Sequence, residues 1–70
     1  MPLAMVDVGE ERTIVDFKGK DDVRRHLTDL GLLKGETVQV LGTNTSGLIL
    51  LVKGVRIALN KGLATKIMVA

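Results

Sequence analysis

The 70-residue chain contains no cysteine, tryptophan or tyrosine, and it has only one phenylalanine, one proline and one histidine. Without cysteine, neither a disulfide nor a thiolate zinc site can stabilise the fold. A chain of this length forms one domain at most and buries about 60% of the surface that its unfolded form exposes. We therefore expect a single domain over residues 1–70, held together by aliphatic side chains, because hydrophobic residues make up 46% of the sequence.

Long apolar segments are also missing. The longest uninterrupted apolar run, Leu48 to Val52, is far shorter than the roughly 20 residues of a membrane-spanning helix. The first residues lack the basic stretch and the apolar core of a signal peptide. Absent cysteine is compatible with a reducing compartment. The sequence therefore predicts a cytoplasmic location without direct membrane insertion.

Patterns typical of catalysis are absent as well. Cysteine is absent, and the serine and threonine hydroxyls have no visible base apart from His26, the only histidine. No segment matches the G-x-x-x-x-G-K-[ST] loop that holds nucleotide phosphates. We predict that the chain is not an enzyme and that it needs no cofactor.

One group of side chains offers ligands to a metal ion. Asp22 lies four residues before His26 and Asp29 three residues after it, so the three share one flank of a predicted helix. They are candidates for a weak nitrogen–oxygen site for a divalent metal. The alternative, which we favour, is a solvated flank with local ion pairs, because one histidine and two flexible acids rarely form a closed site.

Charge says little about partners, because the formal net charge is only +2 and both signs are frequent. Basic residues cluster around the predicted helix: Lys18, Lys20, Arg24, Arg25 and Lys34. They indicate either attraction to an acidic partner or an ordinary solvated surface. Nucleic acid is not expected, because single-strand binders add aromatic platforms for base stacking and Phe17 is the only aromatic residue.

Eight glycines separate short segments rich in β-branched residues, which predicts several short strands in a sandwich or small barrel. The clearest hairpin joins Leu48–Val52 to Val55–Leu59 through Lys53-Gly54, a turn that suits type I′ geometry. That turn fixes the register and places three pairs on the core face: Val52/Val55, Leu50/Ile57 and Leu48/Leu59. The other face then carries an apolar patch of Ile49, Leu51 and Ala58, which another segment or a second protein would cover.

Three further segments alternate as strands do: Thr13–Phe17, Thr37–Val40 and Lys66–Val69. In the last two, the side chains expected to face inward are Val38, Val40, Ile67 and Val69. In the first, a bulge would let both Ile14 and Phe17 point inward.

A helix is predicted over about residues 21–31. Its core-facing stripe and its end are marked by Val23, Leu27, Leu30 and Gly31. Asp21 or Asp22 is expected to cap its start. Lys61–Ala64 is predicted to form a short helical turn before the last strand. Leu33, just past the helix, either packs under the corner of the chain or is exposed as an anchor for a partner.

Three segments resemble a known family: Pro2-Leu3 with Val8-Gly9-Glu10, the stretch from Arg24 to Val38, and Ile57-Ala58-Leu59 with Ala64, Ile67 and Val69. The second contains the spacing R-x-x-L-x-x-L-G-L-x-x-G. In their order, over almost the whole chain, these segments resemble the FeoA family of bacterial ferrous iron transport accessory proteins.

The resemblance implies a mainly β fold, a small SH3-like barrel of about five strands with one helix across one end. It implies an accessory role in ferrous iron uptake, in which the domain binds the cytosolic part of FeoB, the membrane protein that carries ferrous iron. FeoA-type domains also resemble the C-terminal domain of iron-dependent repressors, so weak divalent metal binding is associated with the family. The alternative function is therefore a stand-alone metal-responsive domain.

For the partner surface, the sequence suggests six residues: Arg24, Arg25, Leu33, Lys34, Ile49 and Leu51. The basic side chains would steer the domain toward an acidic surface, and Leu33 would anchor it. A weak homodimer also stays open, because an exposed strand edge could pair with its twin.

Overall fold

The computed structural model describes residues 1–70 and has five strands, two α-helices and one 3-10 helix. In chain order these are the 3-10 helix (Leu3–Met5), β1 (Glu11–Phe17), α1 (Asp21–Asp29), β2 (Thr37–Thr43), β3 (Gly47–Val52), β4 (Val55–Asn60), α2 (Lys61–Ala64) and β5 (Ile67–Val69). The strands form one antiparallel sheet in the order β4-β3-β2-β1-β5. The predicted mainly β class is confirmed, although the edge strands β4 and β5 do not pair to close the sheet.

The hairpin of β3 and β4 has the predicted register throughout. Both turn residues have positive φ, 51° at Lys53 and 77° at Gly54, as a type I′ turn requires. Val55 departs from the prediction that it faces the core, because it is 59% exposed. It adjoins the turn on an edge strand, where no further strand packs beside it.

Strand β1 contains the predicted bulge. Its pairing with β5 shifts register between Ile14 and Asp16. Because the shift reverses the alternation of side chains, both Ile14 and Phe17 are buried, at 1% and 7% exposure.

Helix α1 begins and ends differently from the prediction. Its N-cap residue is Lys20, which makes no side-chain cap hydrogen bond. The expected cap at Asp21 or Asp22 is therefore wrong, because the helix starts one residue earlier. Both acids lie in the first turn, where their negative charges interact favourably with the positive end of the helix dipole.

The last helical residue of α1 is Asp29 rather than residue 31, because the chain leaves the helix in a Schellman end. Gly31 has φ of 93°, and its N–H donates to Thr28. The N–H of Leu32 donates to the carbonyl of Leu27 at 3.0 Å, which is the bond that defines this motif. The glycine thus stops the helix and turns Leu32 into the core.

The core consists of 15 buried apolar residues drawn from every strand and both α-helices. The predicted inward positions Val38, Val40, Ile67 and Val69 are all buried. The predicted helical turn at Lys61–Ala64 is confirmed as α2, and Asn60 caps it by accepting from the N–H of Leu63 at 2.8 Å. The first residues were not predicted to contribute, yet Leu3 and Val6 are buried, at 0% and 3%.

Candidate functional site

In the chain segment that follows α1, Leu32 is buried and Leu33 is exposed. Leu27 and Leu32 are fully buried, whereas Leu33 is 40% exposed. The backbone N–H of Glu36 donates to the carbonyl of Leu33 at 3.1 Å, which closes a tight turn through Lys34 and Gly35. Of the two alternatives for Leu33, the structure therefore leaves the side chain at the surface. We call residues 30–36 the corner.

Two of the three basic residues predicted to bind a partner are tied to β1. A guanidinium nitrogen of Arg24 donates to the carbonyl of Phe17 at 3.2 Å. Lys34 Nζ lies 3.4 Å from Asp16 Oδ1. Arg25 is exposed and has no hydrogen bond or ion pair. Arg25 is thus the predicted partner residue whose charge is least committed within the chain.

The contacts around Asp16 change the pKa of its carboxyl group. The backbone N–H of Phe17 donates to Asp16 Oδ1 at 2.8 Å, and Lys34 stands beside the same oxygen. Both contacts favour the ionised carboxylate, so the pKa of Asp16 is lowered, first by the backbone hydrogen bond and then by Lys34. The corner is held to β1 on its charged side by this exposed pair.

The second predicted surface lies on the outer face of β2, β3 and β4. Ile49 pairs with Ala58 on β4, and Leu51 pairs with Arg56. Ile49 and Ala58 are exposed, whereas Leu51 is half-buried. These residues form the predicted apolar patch, on the face opposite the core.

The structure adds two residues to this patch that the sequence reading did not include. The register of β2 and β3 shifts between Val40 and Gly42, which leaves Leu41 as the extra residue of a bulge. A shallow depression follows, lined by Leu41, Gly42, Ile49 and Arg56. The alternation of Val38 and Val40 could have indicated Leu41, but the predicted strand ended at Val40, three residues before the observed end of β2.

The corner and the patch differ in shape. Three surface depressions occur in the molecule, and none is lined by a residue of α1 or of the corner. A partner of the patch would therefore meet a shallow hollow, whereas a partner of the corner would meet a surface without one.

The tip of the hairpin links the two regions. Lys53 Nζ lies 2.9 Å from Glu36 Oε1, so the β3–β4 turn stands beside the end of the corner. The exposed Val55 follows that turn directly. One partner could therefore contact residues from both regions around this point.

The candidate metal ligands do not form a metal site. His26, Asp22 and Asp29 are all exposed along α1. One oxygen of Asp22 already accepts the N–H of Val23 at 2.9 Å. No group of three or more histidine, aspartate or glutamate side chains lies close enough together to hold an ion. The donor set present here does not fit a resident metal.

No helix in the structure has the length and apolar character needed to cross a bilayer.

A family model described as the FeoA domain matches residues 1–70. The chain belongs to the FeoA family. The family is linked to ferrous iron transport, and the resemblance recognised in the sequence is confirmed.

Solved structures agree with this assignment. The FeoA-family chain is 38% identical to an iron uptake regulatory protein (FeoA), with a TM-score of 0.92 over 99% of this chain and 93% of the other. It is 25% identical to Stenotrophomonas maltophilia FeoA complexed with zinc, which is described as an SH3-domain protein, with a TM-score of 0.80 over 100% of this chain and 89% of the other. The predicted SH3-like fold is thereby confirmed.

A more distant likeness extends to a regulator. The FeoA-family fold matches part of a manganese-dependent transcriptional repressor with a TM-score of 0.92 at 15% identity, covering 100% of this chain and 40% of the repressor. At that identity the match shows a shared fold. A search of curated protein sequences finds no match.

Proposed function

We propose that this FeoA-family domain is a cytoplasmic accessory protein of ferrous iron uptake and that it binds the cytosolic part of an FeoB-type membrane transporter. The observation that carries the proposal is the family match over the whole chain. A small domain with no catalytic pattern and no enclosed cavity is suited to act by contact with another protein rather than by chemistry of its own.

The corner supplies the first part of the proposed contact. Leu33 is the one exposed leucine there, at 40%, and the side chain of Arg25 on α1 is exposed without an internal partner. Arginine is among the residues that most often dominate the binding energy of protein interfaces, and Leu33 adds apolar area that a partner would bury. Arg24 and Lys34 add positive charge on the same side, although their contacts with β1 reduce the freedom of both side chains.

The patch supplies the second part. Ile49 and Leu51 offer apolar area beside the shallow depression at Leu41, and Arg56 borders it. In this proposal the basic side chains of α1 and of the corner attract the partner, and burial of the apolar side chains stabilises the complex. Affinity would then depend on Leu33 and Ile49, whereas the association rate would depend on Arg25.

The test is a binding titration between the domain and the purified cytosolic domain of the transporter. The double variant Arg25→Glu with Leu33→Asp is expected to weaken binding at least tenfold, because it reverses the free charge and removes the anchor. A matched control, Lys66→Glu with Val8→Asp, changes the charge equally at exposed residues outside both proposed surfaces and is expected to bind normally. Equal affinity of the corner variant and the unchanged domain would overturn the proposed surface.

A second candidate, a metal-responsive domain, is favoured by the zinc complex of the Stenotrophomonas maltophilia relative. In this chain it would have to use the exposed flank of His26, Asp22 and Asp29. Titration with ferrous or manganous ion, followed by NMR at His26, decides between the two. Saturable, site-specific changes at stoichiometric metal would support the second candidate, and unchanged signals would remove it.

A further inference from the structure

The two edges of the sheet are finished in different ways. Edge strand β5 has only three residues, and the start of the chain covers it. Pro2 forms a bridge with Met68, and the N–H of Val69 donates to the carbonyl of Met1 at 2.8 Å. Edge strand β4 has six residues and pairs with β3 without a register shift. No segment of the chain pairs with its other side.

The hydrogen bonds of the hairpin identify which groups of β4 are unpaired. The N–H of Lys61 donates to the carbonyl of Ser46 at 3.0 Å, just beyond the paired strands. In an antiparallel ladder, hydrogen-bonded pairs recur at every second residue. Counting back from Lys61, residues Leu59, Ile57 and Val55 bond to β3. The N–H and C=O groups of Arg56 and Ala58 therefore point outward from the sheet.

These outward groups have no other partner. None of the backbone hydrogen bonds outside the helices and strands involves Arg56 or Ala58, and both residues are exposed. Natural sheets usually protect such an edge with proline, a bulge, several charges or a covering segment. Strand β4 has neither proline nor a bulge and only one charged residue, Arg56. Its edge is a regular template for another strand.

Charge indicates what kind of strand would fit. Every acidic residue of the chain lies within residues 1–36, and residues 37–70 contain only basic ones: Lys53, Arg56, Lys61 and Lys66. Lys53 is paired with Glu36, whereas Arg56 and Lys61 have no ion pair. A second copy of β4 would add only positive charge beside this edge, from its own Arg56 and Lys61, which is unfavourable. An acidic strand would be attracted.

The two faces of β4 add a pattern to this charge. Val55, at 59% exposure, and the half-buried Ile57 lie on one face, and Arg56 and Ala58 lie on the other. A strand added beside β4 would place its own side chains alternately on these two faces. The matching sequence therefore alternates apolar residues, next to Val55 and Ile57, with acidic residues, next to Arg56.

We propose that the free edge of β4 accepts an extended segment of a partner protein, with alternating apolar and acidic residues, as a sixth strand of the sheet. Main-chain hydrogen bonds at Arg56 and Ala58 would supply much of the affinity, and side chains would supply the selectivity. The inference rests on the proposed function for the source of the segment, which would belong to the transporter. The free edge of β4 follows from the strand pairing alone and does not depend on the proposed function.

The test uses a synthetic peptide of alternating valine and glutamate with blocked ends, titrated into the domain and followed by NMR. We expect the amide signals of Arg56 and Ala58 to shift and their hydrogen exchange to slow at least tenfold. The same peptide with alternate backbone nitrogens methylated cannot form the ladder and is expected not to bind. A valine–lysine peptide is expected not to bind because of its charge.

Two variants of the domain complete the experiment. Ala58→Pro removes an outward N–H that β3 does not use, and Arg56→Glu reverses the charge of the edge; each is expected to weaken binding at least tenfold. Preserved amide signals of β3 show that the variants are folded. Lys18→Glu, an equal charge change at the end of β1, is the control expected to bind normally.

Several outcomes would overturn the proposal. These are equal binding of the methylated peptide, equal binding of the valine–lysine peptide, absence of any shift at millimolar peptide, or dimers in sedimentation that Ala58→Pro abolishes. Peptide binding at β4 without any binding of the transporter's cytosolic domain would remove the proposed function and leave the edge site. Transporter binding that leaves the amide signals of Arg56 and Ala58 unchanged would support the proposed function and would exclude the edge of β4 as the binding site.

Discussion

The corner after α1 and the outer face of β2, β3 and β4 both expose apolar side chains, yet they are built differently. At the corner, Leu33 is exposed between residues that are committed to the fold: Leu32 is fully buried, and Lys34 pairs with Asp16. On the strand face, Ile49 and Ala58 are exposed together, and Arg56 has no internal partner. The corner is a structural joint with one free leucine, whereas the strand face is an open surface.

This difference explains why the segment that identifies the family gives little information about its partner. The leucines and glycines of R-x-x-L-x-x-L-G-L-x-x-G are needed where they are, because Leu27 fills the core and Gly31 ends the helix with positive φ. Their spacing is explained by folding alone. The groups available to a partner lie between and beside them.

The largest expected effect separates two leucines, Leu27 in α1 and Leu33 in the corner. Leu27→Ala should lower the free energy of unfolding by about 2–5 kcal/mol, because it opens a cavity in the core. Leu33→Ala should change it by less than about 1 kcal/mol, since a surface substitution removes few contacts. Urea denaturation of both variants measures this contrast, and similar losses for the two would show that Leu33 is part of the core.

The next largest effect on stability is expected at Gly47, the first residue of β3. A Cβ at Gly47 would overlap the backbone carbonyl oxygen of Leu59, so Gly47→Ala should cost about 1–3 kcal/mol, as overpacking does. Gly42→Ala is the matched control, because a Cβ there meets nothing within 4 Å. Thermal unfolding compares the two. An unchanged melting temperature for Gly47→Ala would mean that β4 moves freely relative to β3.

The smallest effect is the pH dependence of the corner's ion pair. The pKa of Asp16 is lowered in the folded protein, so the folded state binds fewer protons than the unfolded state through the acid range. Its contribution to stability is therefore present above the ordinary aspartate pKa and is lost as the pH falls toward the lowered value. Because Asp16 is exposed, the contribution should be small.

Denaturation of the unchanged domain and of Asp16→Asn as a function of pH measures this contribution. The two stability curves should differ slightly at neutral pH and converge in acid. Lys34→Gln should reduce that difference without removing it, because the backbone hydrogen bond from Phe17 is the larger cause of the shift. A difference that grows on acidification would contradict the assigned direction.

Much of the fold could be predicted because local rules determine it. The turn Lys53-Gly54 fixed the register of β3 and β4, and Gly31 fixed the end of α1 near its observed position. The bulge in β1 followed from two apolar residues, Ile14 and Phe17, that simple alternation would put on opposite faces. In each case a few neighbouring residues carry the information.

Other features depend on contacts that are distant in sequence. The burial of Leu3 depends on the packing of the first residues against the far end of the chain, where Pro2 meets Met68. The bulge at Leu41 depends on where β3 docks, and the exposure of Val55 depends on which strand is at the edge. The ion pairs that tie Lys34 and Lys53 also required the tertiary arrangement. For the candidate site, the sequence could suggest residues but could not show which charges were free.

The most direct test of the proposed partner surface is a map of the domain's amide signals during titration with the transporter's cytosolic domain. We predict changes at Arg25 and Leu33 and on the strand face at Ile49, Arg56 and Ala58, while the signals of the buried Leu27 and Leu50 keep their positions. Changes confined to Met5, Val8 and their neighbours at the start of the chain would contradict it.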